Sequence, residues 1–124
     1  FITDDANGFV AREIRRQRAY DGIIMDPPKY GRGPKGETWR IEKDLRLLLP
    51  QAAGLLSGEA LFLVLTIYAI RASSLAAHNA LADLLKDRTG SIEAGELAIE
   101  ESALSGLETR RYVSQANFAR WAAY

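Results

Sequence analysis

The chain has 124 residues, 48% hydrophobic and 26% charged, which fits one soluble domain and sets a single core as the ceiling. Lysine plus arginine (16) balance aspartate plus glutamate (16), so no whole-chain field attracts nucleic acid or an anionic membrane, and any such contact is local. The lack of cysteine excludes disulfides, zinc–thiolate sites, iron–sulfur clusters and a cysteine nucleophile, and leaves the cytoplasm as the default compartment.

The chain begins at Phe1 without a basic-then-apolar leader, and the coding frame is expected to extend upstream. Phe1-Ile2-Thr3 reads as the tail of a strand. Asp4, Asp5 or Asn7 then caps a helix running to about Gln17, with Phe9, Val10 and Ile14 facing inward and Arg12, Arg15, Arg16 and Arg18 outward. Glu13 and Asp21 dilute that basic face, so an exposed helix of mixed charge explains it better than an RNA-binding surface. Ile23-Ile24-Met25 is a short apolar run of the kind buried in parallel sheets, and Asp26-Pro27-Pro28 ends it because proline gives no amide to a ladder.

Residues 29–38 are rich in glycine, proline and basic side chains and read as a surface loop, a mobile lid whose Arg32 and Lys35 are placed to meet phosphate. Ile41, Leu45, Leu48 and Leu49 recur at helical spacing, and Pro50 is expected to kink that helix or open a second one through Leu55 and Leu56. After a turn at Ser57-Gly58-Glu59, residues 61–65 form a second buried strand. Its apolar surroundings, residues 60–70, fall well short of the roughly 20 needed to cross a bilayer, and no membrane contact is expected.

Ser73 or Ser74 caps a further helix through Leu75, Leu81, Leu84 and Leu85 to Gly90. Alternation from Ile92 to Ile99, with a slip at Gly95, and again over residues 110–119 predicts an antiparallel hairpin. His78 falls within the preceding helix, and Trp39 and Trp121 read as packing residues. The order strand, helix, strand, helix, hairpin implies an α/β fold with a sheet of mixed edge and helices on both faces.

In open α/β sheets ligands bind beyond the carboxyl ends of the strands, which brings Asp5-Ala6, residues 26–30 and residues 66–69 onto one rim. Ile23-Ile24-Met25-Asp26-Pro27-Pro28-Lys29-Tyr30 resembles motif IV of class I S-adenosylmethionine (SAM) dependent methyltransferases. The likeness extends through Gly31-Arg32-Gly33-Pro34-Lys35-Gly36-Glu37-Thr38-Trp39 to Phe118-Ala119-Arg120-Trp121, and is to bacterial enzymes related to the ribosomal RNA large-subunit methyltransferases. It implies a partial Rossmann-like sheet, strands four to seven of seven, in one C-terminal part of a methyltransferase domain whose N-terminal cofactor-binding half is absent.

The resemblance implies SAM as cofactor, with Asp5 and Ala6 at its adenine and Asp26 facing the transferred methyl. Asp26, Pro27, Pro28, Lys29 and Tyr30 then form the catalytic corner, RNA is the expected substrate, and no metal is called for. In physical terms, two prolines hold backbone carbonyls rigid, and these with the aspartate accept hydrogen bonds from an amine or base edge. Asp5 reads equally as a helix cap, Lys29 as a phosphate contact or a solvated cation, and Tyr30 as a stacking platform or a buried aromatic. Lys29 stands where amino-methyltransferases place their aromatic, so nitrogen is not singled out as acceptor. Thr66-Ile67-Tyr68-Ala69 offers no cysteine for the covalent route to cytosine carbon, which favours direct displacement.

Gly31-Arg32-Gly33-Pro34-Lys35-Gly36 satisfies the dinucleotide spacing G-x-G-x-x-G, yet it does not open a helix directly after its strand, and Pro34 removes an amide from the would-be phosphate cradle. An apolar strand ending in aspartate also suits the magnesium-holding strand of nucleotide hydrolases, but no P-loop is present. A non-catalytic scaffold retaining half the fold is the remaining alternative. Without the glycine-rich loop after a first strand, the chain alone is expected to bind SAM poorly and to self-associate through an exposed sheet edge.

Overall fold

The computed structural model describes residues 2–33, 36–101 and 111–124. Phe1, the Pro34-Lys35 pair and the expected turn at 102–110 lie outside the described residues; of the expected strand tail, Ile2 and Thr3 are exposed and belong to no strand. Helix α1 spans Ala6–Arg15. The Asp5 carboxylate accepts from the Gly8 amide at 2.8 Å, satisfying one of the helix's orphan donors. At the other end Arg18 N donates to Glu13 O and Gln17 N to Ile14 O, a Schellman closure in which Gln17 takes the left-handed conformation (φ 53°) usually left to glycine.

The inward face of α1 departs from expectation at one position. Val10 is buried and Phe9 packs on the core, but Ile14 is 44% exposed and Glu13 is buried in its stead. The buried carboxylate is tolerated because the Tyr20 hydroxyl donates to it at 2.6 Å and Arg16 at 3.3 Å. The Tyr20 hydrogen bond, with help from Arg16, holds the Glu13 carboxyl below its ordinary range despite the opposing effect of burial; the same bond and burial raise the Tyr20 phenol. A lowered carboxylate pKa adds stability that is present above the unfolded value and lost as pH falls through the folded one. A raised phenol pKa adds stability that is lost only as pH rises through it. Tyr20→Phe should therefore lower the melting temperature near neutrality and flatten its acid limb between about pH 3 and pH 6. Acid limbs that superimpose in thermal melts would remove this pair as a source of pH sensitivity.

Strand β1 (Gly22–Met25) leads to a short antiparallel ribbon of β2 (Tyr30–Arg32) and β3 (Thr38–Arg40), which pairs Gly31 with Trp39. Residues 29–38 are thus not a lid without structure of its own: the Gly33 amide bonds Glu37 O at 2.8 Å, and Gly36 (φ 85°) makes the turn. Helix α2 (Ile41–Ala53) follows directly, its Arg40 cap amide donating to the Asp44 carboxylate at 2.6 Å. Ile41, Leu48, Leu49, Ala52 and Ala53 are buried, and Leu45 packs beside them. Pro50 lies inside this one helix and starts no second one.

Strand β4 (Phe62–Ile67), helix α3 (Ser74–Leu84, capped by the Ser73 hydroxyl), β5 (Ser91–Glu100) and β6 (Tyr112–Ala122) complete the chain. The main sheet has the order β1-β4-β6-β5, with β4 parallel to β1 and β6 antiparallel to both its neighbours. The chain therefore closes by inserting its last strand between the fourth and fifth. The irregularity in the hairpin lies between Leu97 and Ala98 rather than at Gly95. Gly95 pairs regularly with Phe118, whose ring passes 3.4 Å from where a Cβ would stand, so this glycine makes room for a side chain and not for a bulge.

Burial decides where the core lies. Leu63, Leu65 and Ile67 on β4 and Ala119 and Trp121 on β6 are buried and form one cluster with residues of all three helices. The opposite face carries Phe62, Val64, Thr66 and Phe118, all half-buried, and Ile24, 71% exposed. The α/β class is as expected, but among the described residues helices cover one face of the sheet rather than both. Among the described residues strand β1 has β4 as its only partner in the sheet and forms an edge. No helix among the described residues is long and apolar enough to cross a membrane.

Candidate active site

The parallel pairing of Met25 with Leu65 brings the residues that follow, Asp26 and Thr66, side by side where β1 leaves the sheet, one residue before the end of β4. The Thr66 hydroxyl donates to Asp26 Oδ1. This fixes one carboxylate oxygen and the plane of the group, while Oδ2 makes no hydrogen bond among the described residues.

Pro27 is buried and Pro28 exposed. The Pro28 carbonyl accepts from the Trp39 indole at 2.6 Å, and the Lys29 carbonyl from the Ile41 amide at 3.0 Å. The expectation that both proline carbonyls face a substrate is corrected at Pro28, whose oxygen is committed inside the protein. The Pro27 carbonyl has no hydrogen bond among the described residues, so the oxygens left to receive a donor are that carbonyl and Asp26 Oδ2. The β2–β3 ribbon is the reason the corner is rigid: it delivers Trp39 to Pro28 and starts α2 against Lys29.

Tyr30 is 49% exposed, not buried beneath a loop, and its hydroxyl accepts from Arg32 Nε at 2.8 Å. Asp5 caps α1, and no hydrogen bond or ion pair joins Asp5 or Ala6 to the Asp26 corner. Its Oδ1 and the Ala6 amide remain without partners among the described residues, an acceptor and a donor side by side. Of the arginines around α1, Arg12 pairs with Asp4 at 2.6 Å and Arg16 with Glu13, in keeping with a face of mixed charge.

A cleft of about 800 Å³ lies beside the corner, lined by Lys29, Glu42 and Ala69-Ile70-Arg71-Ala72. Sequence reading reached residues 66–69 of this rim and missed Arg71 and Glu42. The signal for Arg71 was faint: a lone cation just beyond a buried strand, before a serine-capped helix.

The chain superposes on a SAM-dependent methyltransferase from Agrobacterium tumefaciens with a TM-score of 0.88 and 42% identity, over 97% of this chain and 38% of that one. Its fold is that of part of a class I SAM-dependent methyltransferase. SMU.776, solved with SAH, matches at a TM-score of 0.64 and 18% identity over 97% of this chain and 30% of its own, which shows the fold alone. So does the precorrin 8W decarboxylase of Methanobacterium thermoautotrophicum, with a TM-score of 0.52 and 13% identity, over 99% of this chain and 53% of that one. The chain thus spans well under half of each of the two methyltransferase-type structures. No family model and no curated protein matches.

Proposed function

We propose that this chain is the acceptor-side, C-terminal part of a SAM-dependent methyltransferase domain and that the enzyme methylates RNA by direct displacement. The carrying observation is the Asp26-Pro27 corner: a carboxylate clamped by Thr66 through one oxygen, with its other oxygen and a proline carbonyl left to accept hydrogen bonds at a strand end. The 42% identity to a SAM-dependent methyltransferase supports the reaction class. Ribosomal RNA as the target class rests on the likeness of residues 23–39 and 118–121 to those enzymes.

The residues present fit the adenine end of SAM. An adenine edge offers an exocyclic amine donor beside a ring-nitrogen acceptor, which complements Asp5 Oδ1 and the Ala6 amide, and capping Gly8 through Oδ2 leaves both available. When bound, SAM supplies an electrophilic methyl on sulfonium. The part of this chain is to orient the acceptor: Asp26 Oδ2 and the Pro27 carbonyl take hydrogen bonds from its N–H or O–H and direct a lone pair along the line of attack. Thr66 acts through Asp26 as a positioning residue.

Mass spectrometry of RNA nucleosides from a strain lacking the gene tests this directly. One methylated nucleoside should disappear and return with the wild-type gene. If every methylated nucleoside persists at its normal level, RNA is not the substrate.

A further inference from the structure

The cleft beside the corner is built by two strand-end loops of like chemistry. Lys29 and Arg71 line it, and each has a tyrosine close by in the chain, Tyr30 directly after Lys29 and Tyr68 three residues before Arg71. Both tyrosines are unusually open for aromatic side chains, at 49% and 39% exposure. Neither Lys29 nor Arg71 has an ion-pair partner among the described residues; Glu42, the one carboxylate lining the cleft, pairs with neither, and the lining keeps a net positive charge. The backbone on each side is pinned, Lys29 O by the Ile41 amide at 3.0 Å and Ala72 O by Asn117 Nδ2 at 2.9 Å. Between β4 and Arg71 the chain turns through Ala69 in the left-handed region (φ 56°), a conformation that is strained for a non-glycine residue and that functional loops often retain.

A carboxylate ligand would be met by the two cations alone and leaves two exposed rings without a purpose. A nucleic-acid strand uses both features, its phosphates on the cations and its bases on the rings. We propose that Lys29 and Arg71 form a phosphodiester-gripping edge on which a single-stranded nucleic acid lies with its bases against Tyr30 and Tyr68. This assignment rests on the Asp26 corner being the acceptor site and extends it to the residues that hold the strand.

The test is fluorescence anisotropy of labelled single-stranded RNA and DNA oligonucleotides of one sequence, titrated with the full-length protein over a range of salt concentrations. Each lost phosphate contact should reduce the slope of log affinity against log salt by about 0.7, so Lys29→Ala/Arg71→Ala should flatten it by about 1.4. Tyr68→Ala should weaken binding about 10-fold, the scale of one stacked base, and leave the slope unchanged. Tighter binding of either oligonucleotide supports the edge and names the strand it serves. An unchanged slope in the double variant, or equal competition by citrate and by the oligonucleotide, overturns the proposal. Isothermal titration with SAM separates the readings: a wild-type protein that binds no SAM removes the methyltransferase assignment and leaves the slope comparison to decide the phosphate edge.

Discussion

Asp26→Ala in the full-length protein is expected to reduce methyl transfer by about 10²–10³-fold, the usual cost of deleting one preorganised group that orients or stabilises the reacting atoms. The loss should fall on kcat, because Asp26 is proposed to face the acceptor and Asp5 and Ala6 the cofactor, so SAM affinity by isothermal titration should hold. Thr66→Val is the sharper probe. It keeps the carboxylate and removes the hydroxyl that fixes its plane, so the rate should drop by roughly 10-fold, the scale of one hydrogen bond to a charged group. Thr66→Ser, which retains the donor, should restore most of that loss. Turnover unchanged by Asp26→Ala would remove this aspartate from the acceptor site, and a Thr66→Val variant that loses only stability would reduce Thr66 to a packing residue.

What the sequence disclosed and what it withheld follow from the range of the interactions. Asp5 as a cap, the apolar spacing of α2, the antiparallel hairpin of β5 and β6 and the abrupt end of β1 at Asp26-Pro27-Pro28 are local signals, set within a few residues of chain, and each is found in the structure. The contacts that make the corner a site are remote. Thr66 meets Asp26 across 40 residues, Asn117 meets Ala72 across 45, and neither pair leaves a periodicity to read.

The misplacement of Glu13 and Ile14 has the same origin, since the Tyr20 hydroxyl that makes a buried carboxylate tolerable comes from the segment after the helix. The β2–β3 ribbon was hidden for a different reason. Its strands are three residues long and bracketed by glycines, so composition reported a loop, while Trp39, which packs on the core as read, also supplies the donor that occupies the Pro28 carbonyl. Covering helices on the second sheet face were inferred from the fold class, and these residues do not supply them.

Trp121→Ala is expected to cost about 3–5 kcal/mol in chemical denaturation, a large share of the stability of a domain this size. Trp121 is 3% exposed and sits opposite Leu63 on one neighbouring strand and Ile92 on the other, so its ring fills the core where β4, β6 and β5 meet. Arg88 lies over the ring at 6.0 Å while donating to Leu56 O and Ser57 O, which ties the turn before β4 to the same side chain. Gly90 has been shaped around it: a Cβ there would stand 2.5 Å from both the indole nitrogen and the Ala122 carbonyl. The indole nitrogen itself is buried without a hydrogen bond among the described residues, an arrangement that costs about 1–3 kcal/mol. Trp121→Phe removes that orphan donor together with part of the ring, and the two effects should offset to within about 1 kcal/mol. A phenylalanine variant as unstable as the alanine one would mean that the nitrogen has a partner in solution. Because β6 also carries Asn117, which holds Ala72 beside Arg71, the alanine variant should loosen the cleft before it unfolds, and hydrogen exchange at residues 68–73 should rise ahead of global melting.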